Sequence, residues 1–441
     1  MTESLLHFGK KTSLPYSSLL RDKFASAVTS RNQRAFSPSG TEYSGNQVIE
    51  IPISVNSWAD FQRSYLSITF AGGDGLKGVA IAKSAHSIFR KLAARTSTGK
   101  LLGELENADL LSAVLQNYTL SDNETNSAFN ITSLAHRVGF TLEADKYACI
   151  QLPLAFLKIE QLVPMHLTGG INLTLTLQST SKCTISNRTG FGNPVIKDVK
   201  FFLECCTLSP EAELQFLNEY ENEGLKYHMH QYESVVIPMR GTNSGTIDRL
   251  QIKNQANSLL GVLVVPRYVS DINAGDRNPY RSPNLVNRIS IRLGTEAYED
   301  MTTPAEMFIN LQDFFDMSNN SNSEVINHHT YFGRANDGET ILVPQTNPHV
   351  YHQPWAPYGK LTSAGEPEFF YDSNDSNFVF AKSFSVVKSD ESVLSGNTSR
   401  GDITIDIHRG ATDDSDLEYT VFTLFESELT ISRKRGIEVI Y

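Results

Sequence analysis

Apolar and polar residues alternate along most of the chain after about residue 47, and a period of two predicts β-strands. The clearest runs are VIEIPISV at 48–55 and SYLSITF at 64–70, the second ending at the turn residues AGGDG. Residues 86–106 predict two strands joined by the turn Ser97-Thr98-Gly99. Similar patterns of apolar and polar residues predict further strands within residues 128–142, 147–157, 170–180 and 195–208.

The pattern changes to a helical one at Ser209-Pro210-Glu211. Ser is a favourable N-cap, Pro fits the first turn, and acidic residues suit the positive end of the helix dipole. Apolar residues at 214, 216 and 217 give this helix one apolar side, and it should end near Gly224. We interpret it as the connection between two domains.

The strand pattern then starts again. YESVVIPM at 232–239 is similar to VIEIPISV, and further strands are predicted within residues 248–254, 258–269, 287–294, 377–387, 401–409, 419–432 and 437–441. Thr303 to Glu306 forms a capping box with Pro304 at the first helical position, which predicts a helix over MFINLQDFF. The closing FTLFESELTIS is similar to KFFLECCTLS at 200–209, so the two halves suggest an internal duplication.

The segment from about Ser318 to Ser376 interrupts this pattern with Asn, Asp, Gly and Pro. We predict an excursion between strands at an outer or inter-subunit end of the second domain. Tyr351, Trp355 and Tyr358 favour an ordered segment that packs against a neighbouring loop or subunit.

Composition narrows the functional classes. The 441 residues are 40% hydrophobic and 20% charged, as in globular proteins with room for two domains. The net charge of −11 argues against a chain that wraps its whole surface on nucleic acid. Residues 1–35 differ, because six basic residues stand against two acidic ones, a net of +4. We expect a basic arm there with a short helix, and neither a signal peptide nor a membrane span.

The four cysteines, Cys149, Cys183, Cys205 and Cys206, form no CxxC pair. They predict neither a disulfide framework nor a zinc site, and buried free thiols are the better interpretation. Ser97–Lys100 and the Gly-rich residues 71–78 lack the residues that complete a phosphate loop or a dinucleotide site. A hairpin turn and a loop explain both stretches.

The strongest candidate for a metal centre is His228-Met-His230 followed by Glu233 and Gly241, which is similar to a cupin motif. Only two residues separate His230 from Glu233, so Glu233 would point to the other face of a strand. We therefore interpret this stretch as a linker.

Other polar clusters are expected to be solvated surface: His328-His329, His349 to His352, and Asp413-Asp414. No catalytic, cofactor-binding or metal-binding residue is predicted, no cofactor is expected, and we expect no enzyme activity.

Several longer stretches resemble the double jelly-roll major capsid proteins, a lineage that includes adenovirus hexon and the capsid proteins of polinton-like viruses, adintoviruses and virophages. They are residues 36–70, which end in SYLSITF, 86–111 (HSIFRKLAARTSTGKLLGELENADLL), 152–178, 250–267 and 288–308. The chain departs from the family pattern at Ala297-Tyr298-Glu299-Asp300, where a Pro often follows the Tyr. The chain is also short for the lineage, which implies modest tower loops.

The resemblance implies an all-β chain of two tandem eight-stranded jelly rolls with short helices and long loops. With the patterns above, it places a basic N-terminal arm at 1–35, a first jelly roll at 36–208, a helical connector at 209–228 and a second jelly roll at 229–441.

The function implied is that of a structural major capsid protein, located in the virion shell of an icosahedral double-stranded DNA virus and assembled inside the host cell. Implied partners are two further copies in a homotrimer, neighbouring capsomers, and penton and minor capsid proteins. The basic arm could contact an inner membrane or the genome. The alternative is a trimeric spike or attachment protein with a glycan-binding β-sandwich, which would need one jelly roll and a shaft instead of two.

Overall fold

The structure is a computed structural model. It describes residues 28–72, 78–81, 85–119, 140–143, 146–159, 161–180, 194–222, 224–241, 247–253, 256–269, 286–301, 304–315, 359–361, 367–369, 379–385, 397, 401–409, 416–434 and 436–440.

The described part of the first half is built almost entirely from antiparallel strands. Its strands are β1 (Val28–Phe36), β2 (Glu42–Tyr43), β3 (Val48–Ile53), β4 (Trp58–Gly72), β5 (Gly78–Ile81), β6 (Phe89–Thr96), β7 (Leu101–Glu106), β8 (Phe140–Glu143), β9 (Lys146–Ile150), β10 (Val163–Pro164), β11 (Ile171–Leu177) and β12 (Pro194–Leu208).

The second half repeats this construction. Its described strands are β13 (Leu225–Met239), β14 (Ile247–Ile252), β15 (Leu259–Tyr268), β16 (Val286–Leu293), β17 (Glu296–Met301), β18 (Gly359–Leu361), β19 (Pro367–Phe369), β20 (Phe380–Ser383), β21 (Ile403–Arg409), β22 (Leu417–Ser432) and β23 (Gly436–Ile440). The described helices are α1 (Ala108–Thr119), α2 (Met165–Thr168), α3 (Pro210–Asn222) and α4 (Pro304–Phe315), with described 3-10 turns at Ala85–Ile88 and Ala155–Lys158.

Each half contains two facing sheets with the same strand order. In the first half the sheets run β1-β12-β4-β10 and β3-β11-β6-β7, and in the second they run β13-β22-β15-β20 and β14-β21-β16-β17. If the eight main strands of each half are counted along the chain, both halves read 1-8-3-6 and 2-7-4-5. That order is a jelly roll, so the predicted all-β fold with two tandem eight-stranded jelly rolls is confirmed.

Alternation of side chains explains how each roll forms its core. In β11 every second residue from Ile171 to Leu177 is buried. Leu173 pairs with Ile51 and Leu175 with Ile49 on β3, and all four side chains are fully buried. Because neighbouring side chains on a strand point to opposite faces, this register gives the sheet one apolar face that packs against the other sheet.

A helix follows the fifth main strand in both rolls, α1 after β7 and α4 after β17. The predicted second-half helix therefore exists and begins at Pro304. The hairpin predicted around Ser97-Thr98-Gly99 is also present between β6 and β7, where Gly99 has a φ of +89°. Of the strand predicted within residues 128–142, only the end lies in the described residues, as part of β8.

The structure differs from the predicted boundaries at two places. Residues 28–35, assigned to the arm, belong to β1, which pairs with β12 from Val28↔Leu208 to Phe36↔Phe201. The helical connector ends at Asn222, and β13 begins at Leu225 instead of residue 229. The rest of the arm, residues 1–27, lies outside the described residues.

Candidate functional site: the junction between the two rolls

The connector helix α3 begins where its sequence requires. The backbone N–H of Ala212 donates to Oγ of Ser209 at 3.3 Å, Pro210 is the first helical residue, and Glu211 lies in the first turn. The chain leaves the helix through Gly224, which has a φ of +91°. A Cβ atom there would lie 2.8 Å from Cβ of Ser432, so glycine lets the connector pass close to the last long strand.

The helix is fixed to the first roll by aromatic packing. Phe216 is buried, and its ring centroid lies 5.0 Å from that of Trp58 at the start of β4. Trp58 also meets the edge of the His166 ring at 5.8 Å. Rings at these separations gain packing energy beyond the area they bury, so this cluster fixes the helix on the first roll.

The other end of the helix contacts the second roll. The backbone N–H of Arg433 donates to the carbonyl of Tyr220 at 3.3 Å, and Nη1 of Arg433 lies 2.5 Å from Oε1 of Glu221. Arg433 follows directly after β22, so the helix bridges the two rolls.

The rolls also touch each other directly through β13. Tyr227 is fully buried, and its hydroxyl donates to the carbonyl of Leu162 in the first roll at 3.1 Å.

Further along the strand, the hydroxyl of Ser234 donates to the carbonyl of Glu106 and accepts from Nδ2 of Asn107, both at 3.1 Å. Lys100 completes the contact by donating from Nζ to the carbonyl of Ile437. These contacts join the two rolls directly, in addition to the connection through α3.

The outward face of the second roll's β14–β17 sheet carries ion pairs across neighbouring strands. Nε of Arg249 lies 2.6 Å from Oδ1 of Asp406, and Nη2 of Arg292 lies 3.8 Å from Oδ2 of the same carboxylate. The hydrogen bond from Arg249 lowers the pKa of Asp406 below its ordinary value. The corresponding sheet of the first roll carries Lys91 and Glu104, whose charged atoms lie 2.6 Å apart. Arg249 and Arg292 are more than half exposed and cover the buried Asp406, so the pairs give this face of the second roll a polar surface.

A polar cluster ties the two sheets of the second roll together from inside. Nε of Arg409 on β21 donates to Oδ2 of Asp248 on β14 at 2.6 Å, and the hydroxyl of Tyr419 on β22 donates to the same oxygen at 2.8 Å. All three residues are buried, and β22 belongs to the facing sheet. The cluster therefore links the β14–β17 sheet to the facing sheet.

The chain is similar in fold to several solved viral capsid proteins. The chain is similar to PBCV-1 VP54, in its crystal structure fitted into a reconstruction of the virophage Sputnik, with a TM-score of 0.58, 10% identity, and coverage of 96% of this chain and 100% of that one. It is similar to the Faustovirus major capsid protein, with a TM-score of 0.57, 8% identity, and coverage of 98% and 97%. The mavirus major capsid protein gives a TM-score of 0.52, 10% identity, and coverage of 98% and 96%.

The chain has the double jelly-roll fold of viral major capsid proteins. No protein-family model and no curated protein sequence matches it. With identities of 8 to 10%, the likeness to the solved structures concerns the fold, and it covers both rolls and the junction.

Within the double jelly roll, the interpretation of His228 and His230 as a linker is wrong. Both residues lie in β13, where exposed positions 226, 228 and 230 alternate with buried Leu225, Tyr227 and Met229. Glu233 falls on the opposite phase of the strand from the histidines, as its spacing predicted. The alternation of apolar Leu225, Tyr227 and Met229 with polar residues was the signal that could have identified this strand.

The remaining polar candidates take structural places or lie outside the described residues. Residues 97–100 form the β6–β7 turn. Cys205 and Cys206 are buried free thiols and Cys149 is partly exposed, and burial raises the pKa of Cys206 to about 11. Outside the described residues lie Cys183, most of the Gly-rich stretch, Asp413, Asp414, and the histidines at 328, 329, 349 and 352.

The predicted outer segment, residues 318–376, is described only at β18 and β19, which pair as a two-stranded ribbon. Tyr351, Trp355 and Tyr358 lie outside the described residues. By chain order the segment falls between α4 and β20, the connection from the fifth to the sixth main strand of the second roll.

Two properties of the described residues concern metal binding and membrane insertion. In the part of the chain that the structure describes, no group of three or more His, Cys, Asp or Glu side chains could hold a metal ion. No described helix is long and apolar enough to cross a membrane. The residues described above form a pair of rolls that are joined by α3 and β13.

Proposed function

We propose that this chain is the structural major capsid protein of an icosahedral double-stranded DNA virus. The observation that supports this is the duplicated jelly roll with an identical strand order in both halves. Two rolls fixed side by side give one subunit two similar lobes. Three such subunits around a threefold axis make a six-lobed, pseudo-hexameric capsomer that can tile an icosahedral facet.

The junction explains why a subunit of this kind can work as a building block. Assembly buries complementary side surfaces, and the interface must repay the entropy of ordering them. If the rolls could rotate against each other, assembly would also have to repay the entropy of fixing their relative orientation. Aromatic packing at Trp58 and Phe216 and the hydrogen bonds of Tyr227 and Ser234 remove this freedom before assembly.

Its partners would be two further copies of the chain, neighbouring capsomers, and penton and minor capsid proteins, in the shell of a virion assembled inside the host cell. The basic residues of the N-terminal arm would supply electrostatic attraction to an inner membrane or to the genome. No catalytic step is assigned to the chain.

The alternative, a spike or attachment protein with one glycan-binding sandwich, leaves the second jelly roll without a purpose. The two proposals differ in the shape of the purified protein. Light scattering at micromolar concentration should give a mass near 147 kDa, three times the 49.0 kDa chain. Negative-stain images should show hexagonal blocks. A 49.0 kDa monomer would contradict the capsomer, and rod-like particles would favour the spike.

A further inference from the structure

The two rolls meet inside the chain through unlike edges. β13 is the first main strand of the second roll, β7 is the fifth main strand of the first roll, and each lies at the end of its sheet's strand order. Ser234 on β13 bonds to Glu106 on β7, and Tyr227 bonds to Leu162, next to the sixth main strand β10. The first-strand edge of one roll therefore contacts the fifth-strand edge of the other.

A contact between unlike edges can be repeated. The first roll has its own first-strand edge, β1, and the second roll has its own fifth-strand edge, β17, and both lie at the ends of their sheets. These two edges are the same structural elements as β13 and β7, but they belong to the opposite rolls. A head-to-tail contact of this kind forms a closed ring when its rotation divides a full turn.

The two first strands differ in burial although they start at equivalent places. Val28 of β1 pairs with Leu208, and Leu225 of β13 pairs with Ile431, near the ends of the two eighth main strands. From Leu225 onward, every second residue of β13 is buried as far as residue 231. Residues 29–35 of β1 are all exposed. The strand that contacts another roll is thus buried, and its counterpart is exposed.

The two fifth strands show the same difference. In β7, three of the six residues are buried and one is exposed. In β17, Glu296, Ala297 and Asp300 are all exposed. The helix that follows, α4, adds a large apolar side chain at the surface, because Ile309 is 62% exposed. The fifth-strand edge of the second roll therefore has an exposed surface with both charged and apolar groups.

The charges of the two exposed edges are complementary. β1 contains two basic residues and no acidic one, whereas β17 contains three acidic residues and no basic one. α4 adds two more acidic residues and no basic one. Arg31 and Asp300 each have an ion-pair partner within their own roll, so Arg34 and Glu296 are the charges best placed to meet a partner. Complementary charge favours one orientation of docking.

We propose that β1 of one copy of this chain docks against β17 and α4 of a second copy, in the way that β13 lies beside β7 within the chain. The inference rests on the proposed function, because it names the surfaces by which three copies close into one capsomer. Each copy offers one β1 edge and one β17 edge. Three internal contacts and three contacts between copies then alternate around the ring, each turning the next roll by about 60°.

A second copy fits the β1 surface better than the chain's own N-terminus does. Residues 1–27 contain four basic and two acidic residues, so they carry the same sign of charge as β1. Like charges placed opposite each other weaken a contact. The acidic edge formed by β17 and α4 has the opposite sign.

The test is a dilution series of the full chain, with the mass measured by light scattering. Arg34→Glu and Glu296→Lys should each raise the concentration at which half of the trimer has dissociated, by at least about tenfold. A chain that carries both substitutions should return to within about threefold of the parent, because the two charges are exchanged and attract again. Arg90→Glu is the matched control. Arg90 is exposed on β6, an inner strand of its sheet, so the same change of charge there should leave dissociation unchanged.

The outcomes separate this inference from the proposed function. A parent chain that is a monomer at micromolar concentration would contradict the capsomer itself. A trimeric parent with unchanged dissociation in both single variants would overturn only the β1–β17 contact. Weakening by Arg34→Glu without weakening by Glu296→Lys would also overturn it, and would indicate that β1 is covered by another segment such as residues 1–27. Failure of the doubly substituted chain to recover would have the same meaning. Circular dichroism checks that each variant is folded, as the exposed positions of both residues lead us to expect.

Discussion

His86 is buried in the 3-10 turn before β6, and its Nε2 donates to the carbonyl of Gln151 at 2.9 Å. Burial lowers its pKa from 6.5 to about 4, because the charged imidazolium would lose its hydration. The unfolded chain therefore takes up a proton at this residue at higher pH than the folded chain does. The free energy of unfolding should fall as the pH drops from about 6.5 to 4, by up to about 3 kcal/mol from this one group.

We expect His86→Gln to flatten that part of the pH profile, whatever it does to stability at neutral pH. Urea unfolding at several pH values between 7.5 and 4 measures the effect. Ser87→Ala is the matched control, since Ser87 is buried in the same turn but does not titrate in this range. An equally steep profile in His86→Gln would show that other groups cause the acid sensitivity.

For individual residues, some roles could be predicted from the sequence and others could not. The Ser209 cap and the phase of Glu233 could be predicted, because each depends on residues within a few positions along the chain. Glu426 could not, since it meets His230 only through the β13–β22 register, nearly 200 residues away. Reasoning along the strand could therefore place Glu233 on the opposite face from the histidines, but it could not show which carboxylate lies beside them across the sheet.

At the scale of elements, the junction depends most on α3. The sequence predicted where this helix begins, but its buried side contains Ala212 and Phe216 and not Leu214. Phe216→Ala should lower the free energy of unfolding by about 3–5 kcal/mol, because it removes a fully buried ring that packs on Trp58. Leu214→Ala is the matched control on the same helix. Leu214 is 61% exposed, so its loss should change stability by no more than about 0.5 kcal/mol.

Thermal or urea unfolding of the two variants checks this prediction, and light scattering adds a second measurement. If α3 sets the relation of the rolls, Phe216→Ala should also weaken the proposed trimer, while Leu214→Ala leaves it intact. Similar losses of stability in both variants would mean that the helix is held by something other than the Trp58 cluster.

β1 shows why an element can escape prediction. Seven of its nine residues are exposed and the other two are partly exposed, so no alternation of apolar and polar residues exists. The strand is held at the edge of its sheet by backbone pairing with β12 and by the ion pair of Arg31 with Glu204, and only its end residues Val28 and Phe36 pack against the core. Its basic residues Arg31 and Arg34 looked like part of a charged arm because composition was the only signal available. A strand without a buried face leaves no hydrophobic pattern to detect.

At the scale of the whole molecule, the sequence showed two β-rich halves but not their strand order. Order depends on which strands pair, and pairing partners such as β1 and β12 lie more than 150 residues apart. The resemblance to capsid proteins predicted the double jelly roll, whereas periodicity alone predicted only strands and turns. The similar endings of the halves, KFFLECCTLS and FTLFESELTIS, proved to be equivalent elements, because they belong to β12 and β22, the eighth main strand of each roll.

One hydrophobic cluster runs through both rolls and the connector, with Trp58, Phe216 and Tyr227 among its members. The two rolls therefore differ from loosely tethered domains, and we expect them to unfold together. Calorimetry of the full chain should show one transition rather than two separated ones. Expressed alone, residues 224–441 should fold poorly, because the side of β13 that carries Tyr227 loses the first roll as its cover.

The second fragment, residues 1–222, should be less affected, since it keeps α3 and the Trp58–Phe216 contact. Co-expression of both fragments should rescue residues 224–441, because the contacts of Tyr227 with Leu162 and of Ser234 with Glu106 and Asn107 need no covalent link. Near-ultraviolet circular dichroism and thermal melting distinguish a packed fragment from a collapsed one. A cooperative melt of residues 224–441 alone, at the temperature of the intact chain, would show that each roll is an independent domain. The contacts between the rolls, made by α3 and β13, would then set the orientation of the rolls without contributing to their folding.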